Sequence, residues 1–75
     1  MAKGLNKGKE GDYRGSIEDY TNSIALVENA NSYFKRGYAY LFLKDYPMAV
    51  QDFIETLRII PDHKEAILGM GIARF

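Results

Sequence analysis

The chain repeats itself at a spacing of about 33–34 residues, and this constrains its fold more than any single residue does. Gly37 and Ala39 recur as Gly71 and Ala73, 34 positions on. Asp12-Tyr13 recurs as Asp45-Tyr46, and Ser16, Asp19 and Tyr20 match Ala49, Asp52 and Phe53, all at an offset of 33. A period in this range marks a helical repeat array, whose units cannot bury their apolar faces alone. In the clearest unit, Tyr33, Gly37 and Tyr40 recur at spacings of four and three, so they share one helical face. Ala49 and Phe53 stand four apart on the next stretch and face back. Gly37 lacks a side chain, so a second helix can approach there, and Phe53 is large enough to fill the gap. Pro61 cannot supply an interior amide hydrogen and ends the second helix. Tyr33 to Pro61 therefore predicts a helical hairpin broken at Asp45–Pro47.

The run Tyr33-x2-Arg36-Gly37-x2-Tyr40, Ala49-x3-Phe53, Pro61 follows the tetratricopeptide pattern of an aromatic residue, Leu-Gly, Tyr, Ala-x3-Phe and Pro. The chain resembles that family over nearly all of its 75 residues. It departs from the pattern at Arg36, where Leu is usual, and at Thr56, where a second small Ala is usual. The first unit has Glu28-Asn29-Ala30-Asn31 in place of a terminal proline. The resemblance implies an all-α fold of antiparallel hairpins stacked as a right-handed solenoid. It would hold about two and a half repeats and five helices in one domain. Repeat one would span about 1–29, repeat two about 30–62, and a partial third repeat or end helix about 63–75.

Composition narrows the function. Ten basic residues balance ten acidic ones, which removes a general electrostatic case for nucleic acid or anionic membrane. A basic arm of Lys3, Lys7, Lys9 and Arg14 with Lys35 and Arg36 is the weaker reading, and would show as steep salt dependence. No apolar run approaches the roughly 20 residues of a membrane span, and no signal-peptide pattern opens the chain. Without cysteine there is no disulfide or thiolate chemistry. An intracellular, cytoplasmic setting is the expectation. The only histidine, His63, reads as a solvated loop residue, with no other imidazole to complete a metal site. Asp12, Asp19, Asp45 and Asp52 read as turn and helix-exterior residues, not as paired catalytic acids. Gly4-Leu5-Asn6-Lys7-Gly8-Lys9 has the wrong glycine spacing for a phosphate loop, and Glu10 stands where Ser or Thr would hold magnesium. No enzyme, cofactor or metal is expected.

Taken in order, residues 1–11 predict a poorly formed first helix, since Gly8 and Gly11 each cost about 1 kcal/mol relative to Ala. Gly11-Asp12-Tyr13-Arg14 reads as a turn. Ser16 to Val27 predicts a helix with Ile17, Tyr20, Ile24 and Val27 on one face. Asn31 or Ser32 can cap a third helix to about Leu43. Pro47 suits the first turn of a fourth helix, which runs to about Ile60 with Val50, Phe53, Ile54 and Leu57 inward. Asp62 can cap a fifth, apolar helix running to the end of the sequence.

In the repeat family the first helix of each pair lines a concave groove that receives an extended peptide or a partner helix. The matching positions are Asn31, Phe34, Tyr38, Leu41 and Phe42 in repeat two. Repeat one contributes Met1, Leu5, Gly8 and Lys9, and the partial third contributes Glu65, Leu68, Ile72 and Phe75. A carboxylate clamp for acidic chaperone tails would need basic or amide residues at Met1, Leu5, Lys35, Glu65 and Gly69; only Lys35 qualifies. The resemblance thus implies a non-catalytic scaffold that binds a protein or peptide. The contacts would be Leu5, Phe34, Tyr38, Leu41, Phe42, Leu68 and Ile72, with Lys9, Asn31 and Lys35 as polar ones. The alternative is a structural self-association module, in which the same apolar face and the end helix pair with another copy as a homo-oligomer or domain swap.

Overall fold

Proline, and the backbone it forces on its neighbours, sets two of the three connections between the described helices. A computed structural model describes the backbone of residues 2–74 and the side chains of residues 12–73. Over these residues it is all-helical, without strands: α1 (Ala2–Leu26), α2 (Ala30–Phe42), α3 (Tyr46–Ile59) and α4 (Lys64–Arg74). Pro47 lies in the first turn of α3, so α2 cannot run on through it. Lys44 takes up the left-handed conformation, φ 62°, to make the corner. Its amide and that of Asp45 donate to the carbonyls of Leu41 and Tyr40, the paired bonds that close a helix end. Ile60 precedes Pro61 and is extended, as the proline ring requires, so α3 ends at Ile59.

Four helices replace the five expected from the sequence, because no turn forms at Gly11–Arg14. Arg14 occupies the register position of Pro47, and arginine neither lacks an amide hydrogen nor clashes with the preceding turn. The backbone therefore stays helical from Ala2 to Leu26. At about 1.5 Å per residue α1 is about 37 Å long, against a longest molecular dimension of 42 Å. It reaches well past α2 and α3, which are about 20 Å each.

The caps also shift from their expected places. Asn29, extended at φ −152°, caps α2 by accepting a 2.8 Å hydrogen bond from the Ser32 amide, so the helix starts before Asn31. His63, not Asp62, caps α4: its Nδ1 accepts from the Ala66 amide at 3.1 Å.

α1 packs on α2, α2 on α3, α3 on α4, and α2 also meets α4. At the centre lie Ala49, Phe53 and Ala66, with Phe34, Tyr38, Tyr40, Leu41, Leu57 and Met70 against them. Phe53 is fully enclosed. A Cβ built on Gly37 would lie 2.8 Å from its ring, and one on Gly69 would lie 2.7 Å away. The close approach expected at Gly37 is thus present. On α4 it belongs to Gly69, whereas Gly71 faces open space. Ile54, expected inward, is exposed, as is Val27.

Asp52 is the largest departure from the sequence expectation. It is buried, not on the helix exterior. Arg36 reaches across from α2 with two hydrogen bonds to its carboxylate, Nε–Oδ2 at 2.8 Å and Nη2–Oδ1 at 2.7 Å. The same guanidinium donates to Thr21 Oγ1 of α1 at 3.1 Å. One side chain therefore ties three helices together, and the carboxylate raises the Arg36 pKa above its ordinary value. Thr56, also enclosed, donates to the Asp52 carbonyl.

A candidate interaction groove

The spacing that makes α2 amphipathic also sorts its aromatic residues. Phe34, Tyr38 and Leu41 pack on the core, Ser32 meets Ser23 of α1, and Asn31, Lys35 and Phe42 are exposed on the remaining side. Between that side and α1 runs an open groove of about 240 Å³. Its α2 wall is Phe34, Lys35, Tyr38, Ala39 and Phe42; its α1 wall is Tyr13, Ser16 and Tyr20. Tyr13 stacks on Phe42 with ring centroids 5.2 Å apart and planes 12° apart. Phe42 nevertheless remains 59% exposed, an unusual condition for a phenylalanine. Tyr38 sits edge-on to both Phe34 and Phe53, at 4.9 and 5.5 Å, so the core itself holds the groove floor in place.

The expected contact residues divide into three sets. Asn31, Lys35, Phe42, Leu68 and Ile72 are exposed. Phe34, Tyr38 and Leu41 are half-buried and packed on the core, so each contributes to stability as well as to any surface. Phe34 also lies 4.7 Å, centroid to centroid, from His63, which is half-buried rather than a free loop residue. The side chains of Leu5 and Lys9 lie outside the described residues. On α4, Leu68 and Ile72 lie one turn apart, as do Ile67 and Gly71, and all four are exposed. Of the α1 wall, Ser16 and Tyr20 belong to the helix expected from Ser16 to Val27, and only Tyr13 falls in the expected turn. The signal was present: Tyr13, Ser16 or Ile17, and Tyr20 recur at helical spacing, with no proline between them.

A second depression, of about 470 Å³, is lined by Tyr33, Arg36, Gln51, Asp52, Ile54 and Glu55. Its charges are already matched, since Arg36 and Asp52 satisfy each other. Tyr33 donates to Glu28, and desolvation followed by that hydrogen bond raises the phenol above its usual pKa. Arg36, counted among the cations of a nucleic-acid reading, is thus committed within the fold. Among the described residues no three His, Asp or Glu side chains converge to hold a metal ion, and no helix is long and apolar enough to cross a membrane. No family model, curated protein or solved structure matches the chain.

Proposed function

We propose that this chain is a non-catalytic, tetratricopeptide-like module of stacked hairpins that binds a peptide or helix of another protein in the groove between α1 and α2. The observation that carries the reading is Phe42, held in place by Tyr13 and Tyr38 yet more than half exposed at the groove's edge. A solvent-facing aromatic held by its neighbours offers a large contact area at little cost in ordering. Tyr38 and Ala39 supply an apolar floor, and Lys35 a cation at the rim for an acidic group on the partner. The packing of Phe53 against Gly37 and Gly69 supports the repeat reading, because one aromatic of α3 serves both the helix before it and the helix after it.

The test is a selection of helical and extended peptides from a random library, followed by amide-shift mapping on the labelled protein. The reading expects shifts at Tyr13, Lys35, Tyr38 and Phe42. Shifts confined to α3, or no binder at all, would refute it.

Ile67, Leu68, Gly71 and Ile72 on α4 favour a second reading, in which the exposed faces pair with another copy. It expects light scattering to give a mass that rises over a hundredfold range of concentration. It also expects Leu68→Glu to reverse that rise. A constant monomer mass would dispose of it.

A further inference from the structure

The lining of the groove between α1 and α2 discriminates among the backbones a partner segment could present. Five of its eight residues are aromatic, so whatever seats there must lie against ring faces. Its side-chain donors are the hydroxyls of Tyr13, Ser16, Tyr20 and Tyr38 and the Lys35 ammonium. Among the described residues none of these five enters a side-chain hydrogen bond or an ion pair. The lining has no carboxylate and no side-chain amide, so hydroxyl oxygens are its only side-chain acceptors. The groove is rich in donors and poor in acceptors.

Three kinds of segment meet such a lining differently. A helix has already paired its own amides and carbonyls, and would cover the donors without satisfying them. An ordinary extended segment brings an amide hydrogen at every residue, and those turned inward need acceptors. A polyproline II segment makes no internal hydrogen bonds, and its prolines present carbonyls without amide hydrogens. It accepts where the groove donates, its rings pack on aromatic faces, and its fixed backbone has little freedom to lose on binding. The spacing agrees. Ser23 meets Ser32 and Tyr13 stacks on Phe42, an antiparallel register that sets Tyr20 opposite Lys35. Tyr13 and Tyr20 lie two turns apart on α1, about 10 Å along its axis. One polyproline II turn of three residues spans about 9 Å.

We propose that the occupant of the groove is a proline-rich segment in the polyproline II conformation. Prolines three residues apart lie over the Tyr13–Phe42 stack and over Tyr20, and an acidic residue beside the second meets Lys35. The groove hydroxyls, which a purely apolar contact would leave idle, donate to the carbonyls of the segment. This names the partner of the groove reading above and rests on that reading.

The test titrates the isotope-labelled protein with a proline decamer carrying glutamate at both ends. A helical peptide and an unstructured extended peptide of equal length and charge are titrated beside it. The proline peptide should bind about tenfold or more tighter than either, with amide shifts at Tyr13, Lys35, Tyr38 and Phe42. Tyr20→Phe and Tyr38→Phe keep the rings and remove one donor each, so each should weaken that binding about threefold to tenfold. Lys35→Gln should abolish the preference for the glutamate-ended peptide over its glutamine-ended form. Tighter binding of the helical or the extended peptide at the same residues overturns the inference and leaves the groove reading standing. Binding of none of the three overturns both. Full affinity in Tyr20→Phe and Tyr38→Phe also overturns the inference, because the rings alone would then account for the contact.

Discussion

Phe53 is held by Gly37 and Gly69 but not by Gly71, and this makes the three glycines separable by experiment. Gly69→Ala places a Cβ 2.7 Å from the ring, and Gly37→Ala one at 2.8 Å. The ring cannot withdraw from one without striking the other. Crowding of this kind costs about 1–3 kcal/mol, which outweighs the gain of at most about 1 kcal/mol from replacing a helical glycine. Either substitution should therefore lower stability in urea unfolding. Gly71→Ala meets nothing within 4 Å and should raise it by about 0.5–1 kcal/mol. Loss of stability in all three would contradict the packing described. The Arg36–Asp52 pair is testable in the same way. Arg36→Met leaves a buried carboxylate without its partner and should cost about 3 kcal/mol or more. Glu28→Gln, which breaks the exposed pair with Arg58, should leave the unfolding midpoint nearly unchanged. The glycine–aromatic contact was legible in the sequence because a missing side chain and a large one at helical spacing leave one packing solution. The ion pair was not. Its members are 16 residues apart, on different helices, and an aspartate at a helix position carries in itself no mark of burial.

The helices end where the backbone chemistry is explicit and continue where it is not. Pro47 and Pro61 placed the ends of α2 and α3 to within about a residue, because a missing amide hydrogen cannot be overridden locally. Between residues 11 and 14 only glycine and a matching Asp-Tyr pair argued for a corner, and these permit a turn without forcing one. Arg14→Pro supplies the missing element. It should divide α1 ahead of residue 14, seen as loss of amide protection around that position. The amides of α3 near Phe53 should stay protected, because α1 packs on α2 and not on α3. Unchanged protection along α1 would contradict the explanation given for its continuity. Asn29→Ala should cost about 1 kcal/mol, the usual value of an N-cap, and free the Ser32 amide. The cap fell ahead of the expected Asn31 or Ser32 because all three polar residues could do the same work, and only the extended backbone at Asn29 selects it.

At the scale of the whole molecule, the described residues enclose only a small core and leave many large apolar side chains exposed, among them Phe42 at the groove and Ile67, Leu68 and Ile72 on α4. Exposed aromatic and aliphatic surface of this kind is costly to keep in water and is the usual mark of a surface that meets another molecule. On the α2 side, Tyr38 and Phe42 were named by the repeat resemblance and not by their spacing. On the α1 side, Ser16 and Tyr20 sit on an expected helix, and only Tyr13 depends on a helix continuing through an expected corner. The central claim is that this groove, and not apolar exposure in general, receives a partner. The most direct test compares the dissociation constants of one selected peptide for the wild type, Phe42→Ala and Ile54→Ala. Phe42 and Ile54 are both exposed, but only Phe42 lines the groove. Loss of the exposed aromatic contact should weaken binding roughly thirtyfold in Phe42→Ala, with Ile54→Ala within about twofold of the wild type. Equal affinities for all three proteins, or a greater loss in Ile54→Ala, would contradict it.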